Sequence, residues 1–220
     1  MDKTSNGKVT TYDRARQLIQ FMKSNYPDIE CVVFDMDYTI TSMHSKGCLH
    51  RSALSNYLIS VSWDVRVFIP ILIDEGYKVA IATFIDDAYY LLGYDKEEYI
   101  SGRELVEEIL DTLVLTDEQR SSIYITSYQP RVQNKVGLWK PRMSLCGIVA
   151  VPPKNKNCHL YDISDHYNIE NVKMLLIDDS SRNIKDANAA GVYTVYIPEF
   201  PKPGFSFDKF EFGIMMPYKL

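Results

Sequence analysis

The sequence has few cysteines and lacks several features that mark specialised classes of protein. Its four cysteines are scattered and form no C-x-x-C pair, so neither a zinc site nor a disulfide scaffold is indicated. No apolar stretch approaches the length of a transmembrane helix. Residues 1–16 contain no apolar core of the kind that a secretory signal needs. We therefore expect an intracellular, cytoplasmic protein without a membrane partner.

The sequence also has no excess of basic residues over acidic ones. The formal net charge is -5, which argues against a chain whose main task is to hold polyanions, and we do not expect nucleic acid as a principal partner. The 220 residues, of which 46% are hydrophobic, suffice for one α/β domain. We predict a single domain over residues 1–220, with a small cap or insertion at 41–62 and within 84–154.

The most informative stretch is an apolar run over residues 31–34 that stops at two carboxylates, Asp35 and Asp37. An apolar run with no polar partner predicts a strand buried on both faces of a parallel sheet. If the chain turns just after Asp35, both carboxylates can point into one cleft at the sheet edge where ligands bind. Because the two charges repel each other, a hard cation such as Mg²⁺ would stabilise the pair. The alternative is that both residues belong to a turn or a helix cap.

Further buried runs predict four more strands. They span residues 77–83, 123–128, 173–178 and 192–197. Thr83 ends the first of these runs, and the third ends at Asp178 and Asp179. The helical patterns between the runs indicate right-handed βαβ units, so these polar side chains should lie at the same sheet edge as Asp35. We predict an α/β fold with a parallel sheet between two layers of helices.

Three other segments each allow two interpretations. Residues 131–142 interleave basic side chains with Trp139, which can bind a phosphorylated or acidic substrate or can form a solvated loop. His44 and His50 could reach the cleft, but lone histidines in loops are more often solvated, and we assign neither a role. The aromatic tail, residues 198–220, packs across the domain or against a partner.

The motifs at the strand ends, taken in this order, resemble those of the haloacid dehalogenase (HAD) superfamily of phosphohydrolases over residues 28–197. They are D-x-D-x-T at Asp35, Asp37 and Thr39, then Thr83, Lys156, and the acidic pair Asp178 and Asp179. The K-x-x-H-L motif that begins at Lys156, and the sequence around the acidic pair, look most like the small magnesium-dependent phosphatase group. The stretch between Thr83 and Lys156 is longer than in the compact form of that group.

This resemblance implies a Rossmann-like HAD fold and a Mg²⁺-dependent phosphatase that acts through an aspartyl-phosphate intermediate. Asp35 would be the nucleophile and Asp37 the general acid and base. Thr83 and Lys156 would bind the phosphoryl group of the substrate. Lys154 is the alternative candidate for the active-site lysine, and we prefer Lys156 because the K-x-x-H-L motif begins there.

The resemblance also implies the metal site, in which Asp35, Asp178 and the main-chain carbonyl of Asp37 would hold Mg²⁺. Asp179 would orient a metal-bound water, and the hydroxyl of Thr39 would support the loop. The expected substrate is a small phosphorylated metabolite or a phosphorylated side chain. The alternatives are a phosphate-binding scaffold with weak catalysis and a nucleic-acid end phosphatase. The sequence gives no prediction for the oligomeric state.

Overall fold

The computed structural model describes residues 10–85, 93–127 and 155–216, and their centre is a five-stranded parallel sheet. Its strands, in the spatial order β5-β3-β1-β6-β7, are β5 (Tyr124–Ser127), β3 (Lys78–Thr83), β1 (Cys31–Phe34), β6 (Met174–Asp178) and β7 (Tyr193–Tyr196). Two short antiparallel strands, β2 (Leu49–His50) and β4 (Tyr99–Ile100), form a second sheet. The helices are α1 (Thr11–Asn25), α2 (Leu54–Ile59), α3 (Trp63–Asp74), α4 (Gly102–Leu110), α5 (Asp117–Ser122), α6 (Asn157–Tyr167), α7 (Ser181–Ala189) and α8 (Phe207–Met215).

Strand β1 is the middle of the sheet, and its alternating side chains separate two apolar cores. Val32 and Phe34 belong to the larger core, to which α1, α3, α4 and α8 contribute. Cys31 and Val33 belong to the smaller core, with apolar residues of α6 and α7. All four residues of β1 are buried, as expected for a strand covered on both faces. The predicted α/β architecture is therefore confirmed.

The strand register brings the polar strand ends to one edge. Phe34 of β1 pairs with Ile81 of β3 and with Ile177 of β6. Asp35, the residue after β1, donates its N–H to the carbonyl of Ile177 at 2.9 Å. The next residues along β1 and β6 are therefore carboxylates that lie side by side at the carboxyl edge of the sheet.

Polar side chains precede several helices, but not all of them cap. Thr116 and Gln119 form a capping box at the start of α5. Ser62 precedes α3, but its hydroxyl donates to the carbonyl of Phe205 at 2.7 Å and makes no capping bond. Helix α3 also continues through Pro70 and is not divided there. Within the described ranges, none of the helices combines the length and hydrophobicity that crossing a membrane requires.

The segment of residues 41–62 forms a closed excursion beside the carboxyl edge of the sheet. Thr41 and Val61 pair at its base, and Ser42 donates its N–H to the carbonyl of Ser60 at 2.9 Å. Strand β2 in this segment pairs with β4. Residues 86–92 and 128–154, which make up nearly half of the second predicted insertion, lie outside the described residues.

Residues 198–206, here called the strap, connect the sheet to α8 and bind the turn that follows β1. Gly204 donates its N–H to the carbonyl of Tyr38 at 2.9 Å, and Phe205 donates to the carbonyl of Thr39 at 2.7 Å. The ring of Phe205 stacks on Phe68 within the larger core. Lys209 Nζ donates to three strap carbonyls, those of Pro198, Lys202 and Gly204. The described part of the predicted aromatic tail, residues 198–216, packs across the domain.

Gly213 lies in α8, where this helix packs against β7. A Cβ atom at this position would lie 2.8 Å from Val195 Cγ1 and 3.3 Å from the carbonyl oxygen of Tyr196. Alanine is favoured over glycine in helices by about 1 kcal/mol, but overpacking a core costs about 1–3 kcal/mol. We therefore expect Gly213→Ala to lower the melting temperature in thermal denaturation. Alanine at the exposed Phe212 is the control and should change it less; an increase for Gly213→Ala would contradict the tight packing.

Candidate active site

Asp35 stands at the start of a wide turn, Met36–Ile40, that directs its residues toward one cleft. Asp37 has extended φ and ψ, and Tyr38 has a left-handed φ of 58°, so the alternation of the strand ends here. The strap bonds to Tyr38 and Thr39 fix this turn from the outside. The turn thereby allows Asp35 and Asp37 to line the same cavity.

Lys156 provides the positive charge beside Asp35. Its fully buried side chain reaches from the start of α6, and Nζ lies 2.5 Å from Asp35 Oδ1 and 3.8 Å from Asp178 Oδ2. The same Nζ donates to the carbonyl of Ala82 at 2.7 Å and lies 4.5 Å from the ring centre of Phe84. Burial opposes the charge of Lys156, but Asp35 and Asp178 raise its pKa above the usual value. The ammonium group is therefore held charged at the centre of the site.

Three carboxylates meet next to this lysine. Asp35, Asp178 and Asp179 each place one oxygen within 4.8 Å of the others. Burial and the charge of Asp35 raise the pKa of Asp178 to about 7 and that of Asp179 to about 8. Burial also raises the pKa of Asp35, against the opposing effect of Lys156. Three acidic groups around one lysine form an oxygen-rich cluster whose chemistry suits a hard divalent cation.

The loop after β6 orients Asp178. Ser180 donates its N–H to Asp178 Oδ1 at 2.8 Å, and Asn183 Nδ2 lies 3.1 Å from both oxygens of this carboxylate. Ser180 also caps α7 by accepting from the N–H of Asn183. The first turn of α7 therefore holds Asp178 in one orientation toward the cluster.

The carboxylate of Asp37 is not part of the acidic cluster, because it is bound by the excursion of residues 41–62. Asp37 Oδ1 accepts from Tyr57 Oη at 2.5 Å and from Ser45 N at 2.9 Å. Asp37 Oδ2 accepts from Ser45 Oγ at 2.7 Å and lies 2.9 Å from His44 Nδ1. Burial opposes ionisation of Asp37, but these bonds from His44, Tyr57 and Ser45 lower its pKa below the usual value. In this arrangement Asp37 is an anion that is ready to accept a proton.

His44 Nδ1 faces two groups at the same distance. The N–H of Lys46 lies 2.9 Å away, and so does Asp37 Oδ2. Nδ1 accepts from Lys46 when it carries no proton and donates to Asp37 when it carries one. Asp37 raises the pKa of His44 above the usual value, which favours the second arrangement. The prediction that His44 is a solvated loop residue without a role therefore has to be revised, since it contacts a candidate catalytic group.

Two threonines complete the comparison with the predicted site. Thr83 ends β3, is buried, and lines the same cavity as Asp35. Thr39 is fully buried, and within the described part of the chain its Oγ1 has no hydrogen-bond partner. Its hydroxyl therefore shows none of the loop bonds that were predicted for it.

The cleft above these groups is a cavity of about 620 Å³. Its lining also includes Tyr38, His44, Lys46, Phe84, Ile85 and Arg182. Aromatic and cationic side chains therefore surround the acidic centre. Lys154 and the basic segment 131–142 lie outside the described residues.

A family model described as Acid Phosphatase matches residues 104–218, which is more than half of the chain. The chain belongs to the acid phosphatase family. The matched residues include Lys156, Asp178 and Asp179, which meet at the cleft. Membership of the acid phosphatase family makes the protein a hydrolase that acts on phosphate esters. A comparison with curated proteins finds no match.

Several solved structures are similar to this acid phosphatase at low sequence identity. One of them is the N-terminal part of BF1531 from Bacteroides fragilis, which contains a phosphatase domain and is complexed with Mg. It has a TM-score of 0.51 and 13% sequence identity to this chain. The match covers 90% of this chain but only 43% of the BF1531 chain. The HAD domain of Lem4 from Legionella pneumophila has a TM-score of 0.48 and 12% identity, and covers 85% and 94% of the two chains. D,D-heptose 1,7-bisphosphate phosphatase from B. bronchiseptica, complexed with magnesium and phosphate, has a TM-score of 0.44 and 14% identity, and covers 76% and 79%.

The family match and the fold together confirm the predicted resemblance to the HAD superfamily. This acid phosphatase is a HAD phosphatase with a Rossmann-like parallel sheet. The roles of its individual site residues stay predictions, as does the narrower resemblance to the small magnesium-dependent group.

Proposed function

We propose that this acid phosphatase hydrolyses a phosphate monoester in two steps, with Asp35 as the nucleophile and Mg²⁺ as the cofactor. The observation that supports the proposal most directly is the buried contact between Asp35 and Lys156 within an acidic cluster at the floor of an open cavity. An anionic nucleophile can approach a phosphate dianion only if positive charge is present. Lys156 provides one such charge and holds the Asp35 carboxylate in place.

In the first step, an oxygen of Asp35 bonds to phosphorus while the bond from phosphorus to the leaving oxygen breaks. Asp37 takes up a proton when the substrate binds as the phosphate monoanion and passes that proton to the leaving oxygen, so the products are an aspartyl phosphate and an alcohol. In the second step, water loses a proton to Asp37 and attacks phosphorus, which releases inorganic phosphate and restores Asp35. The hydroxyl of Thr83 and nearby backbone N–H groups bind the phosphoryl oxygens in both steps.

The residues around Asp35 fit a magnesium site. Carboxylate oxygens of Asp35, Asp178 and Asp179 already lie within 4.8 Å of one another, and oxygen atoms are the ligands that Mg²⁺ prefers. In the proposed site Asp35, Asp178 and the main-chain carbonyl of Asp37 bind the ion, and Asp179 orients a bound water. When bound, the ion offsets the charge of the carboxylates and of the substrate.

The proposed substrate is a small phosphorylated metabolite or a phosphorylated side chain. The cavity of about 620 Å³ falls within the usual size of small-molecule sites. Its lining includes the aromatic residues Tyr38 and Phe84 and the basic residues Lys46 and Arg182. A leaving group with an apolar or aromatic part therefore finds a matching surface next to the phosphate.

Removal of the metal tests this proposal. In an assay of 4-nitrophenyl phosphate hydrolysis, a chelator should lower turnover at least ~100-fold, and added Mg²⁺ should restore it. Asp178→Asn should raise the Mg²⁺ concentration needed for half-maximal turnover by ~10-fold or more, because it removes a charged ligand. The same variant should reduce the stabilisation by Mg²⁺ in thermal denaturation. Glu199→Gln, at an exposed position, is the matched control; turnover that persists in chelator would refute the metal requirement.

A further inference from the structure

The hydrogen bonds that hold Asp37 come from residues outside the motifs of the strand ends. Ser45 and Tyr57 both belong to the excursion of residues 41–62, and together they donate three hydrogen bonds to the Asp37 carboxylate. These bonds occupy both carboxylate oxygens. Rotation of the Asp37 side chain would therefore break bonds on both oxygens at once.

Tyr57 is the most deeply placed of these donors. Its side chain is fully buried in the larger core, and a buried tyrosine hydroxyl normally requires a hydrogen-bond partner. Its Oη donates to Asp37 Oδ1 at 2.5 Å and lies 3.4 Å from Thr41 Oγ1, which can donate to it. Thr41 in turn belongs to the base of the excursion. Among the described residues, the hydroxyl therefore has one acceptor, which is Asp37.

The backbone fixes Tyr57 without any contribution from Asp37. Val61 pairs with Thr41, and the N–H of Ser62 donates to the carbonyl of Ile40 at 3.0 Å. The carbonyl of Tyr57 accepts from the N–H of Ser60 at 3.0 Å and from its hydroxyl at 2.6 Å. The excursion is thus closed at its base and rigid around α2. Tyr57 can impose an orientation on Asp37 and does not merely follow it.

We propose that Tyr57, assisted by Ser45, is a positioning residue that orients the Asp37 carboxylate for proton transfer to the leaving group. This inference rests on the proposed function, in which Asp37 exchanges that proton. Negative charge develops on the leaving oxygen as its bond to phosphorus breaks. A weakly acidic phenol needs the proton of Asp37 at this point, whereas 4-nitrophenol leaves readily as the anion. Loss of the hydrogen bond from Tyr57 to Asp37 must therefore slow the hydrolysis of substrates with poor leaving groups most.

Tyr57→Phe in the full chain tests the proposal, because it removes the hydroxyl and keeps the ring. The substrates are phenyl phosphate and 4-nitrophenyl phosphate, and the readout is kcat/KM, which reports the step that expels the leaving group. For Tyr57→Phe we expect kcat/KM to fall ~10–100-fold with phenyl phosphate and less than about 3-fold with 4-nitrophenyl phosphate. Ser45→Ala should act in the same direction with a smaller effect, and it gives a second test if Tyr57→Phe folds poorly.

Tyr26→Phe is the matched control. It removes a hydroxyl that donates to the carbonyl of Ile214 at 2.7 Å, near the end of the sheet where β1 begins, and it should leave the ratio of the two kcat/KM values unchanged. Asp37→Asn should show the same dependence on the leaving group as Tyr57→Phe, but more strongly.

Three results would overturn the proposal in distinguishable ways. In the first result, Tyr57→Phe and Ser45→Ala lower kcat/KM equally for both substrates, or for neither, while Asp37→Asn lowers it more for phenyl phosphate. The inference then fails and the proposed function stands. If Asp37→Asn does not discriminate either, then the proton-transfer role of Asp37 fails, and the inference fails with it. If the wild-type protein hydrolyses neither substrate in the presence of Mg²⁺, then the proposed function itself is refuted.

Discussion

Replacing Asp35 with asparagine should lower the turnover of an aryl phosphate by ~10⁴-fold or more, as is typical when a covalent nucleophile is removed. Asparagine has nearly the same shape but lacks the anionic oxygen that attacks phosphorus. The fold should persist, because Lys156 keeps its contacts with Asp178 and the carbonyl of Ala82. Initial rates give the loss of turnover, and circular dichroism together with thermal denaturation verifies that the variant is folded.

Direct detection of the aspartyl phosphate gives a second test of the role of Asp35. After acid quenching during turnover, mass spectrometry should find a phosphoryl group on the peptide that contains Asp35 in the wild-type protein and none in Asp35→Asn. Asp179→Asn is the control, since it changes a carboxylate of the same cluster but keeps the nucleophile, and it should still form the adduct. Substantial turnover by a folded Asp35→Asn protein would mean that another group attacks phosphorus.

Replacing Lys156 with methionine should damage both catalysis and stability. Turnover should fall by ~10²–10³-fold, because a fixed positive charge next to the transferring phosphoryl group is lost. The side chain is fully buried between Asp35 and Asp178, and removing one partner of a buried ion pair costs about 3–5 kcal/mol. For a chain of this length the melting temperature should therefore fall by ~10 °C or more. Steady-state kinetics and calorimetry measure the two effects.

Two controls test whether the effects of Lys156→Met depend on this particular lysine and on its positive charge. Lys154→Met should leave turnover and stability close to those of the wild-type protein. Added Mg²⁺ should recover part of the stability that Lys156→Met loses, because the freed carboxylates can bind the ion, but it should not restore turnover. A greater loss of turnover in Lys154→Met than in Lys156→Met would assign the catalytic role to the other lysine.

The sheet and its polar edge could be predicted from the sequence because the signals are local. Continuous apolar runs mark strands that are buried on both faces, and each run that forms the site ends at a polar residue. The short connections allow few topologies, so Asp35, Thr83 and Asp178 had to meet at one edge. The lysine could be chosen through its motif, and the structure places Lys156 in contact with Asp35.

The surroundings of Asp37 could not be predicted in this way. The spacing of Asp35 and Asp37 indicates a shared cleft, but it does not show that the Asp37 carboxylate turns toward Ser45 and Tyr57. Tyr57 lies in an ordinary short helix, and nothing in the local sequence distinguishes its hydroxyl from that of any other tyrosine. Ser62 illustrates the same limit, because its hydroxyl donates to the distant carbonyl of Phe205 and does not cap α3, the helix that it precedes. Such contacts depend on how separate segments pack together.

The strap binds a turn that is synthesised much earlier than the strap itself. Chains emerge from the ribosome at about 5–20 residues per second, and their N-terminal parts fold first. The carbonyls of Tyr38 and Thr39 are therefore exposed long before Gly204 and Phe205 arrive to bind them. A nascent chain that already contains Asp35, Lys156 and Asp178 still lacks two hydrogen bonds of the turn that carries Asp37. The turn that carries Asp37 is thus complete only after residues 204 and 205 have been synthesised and have bound it.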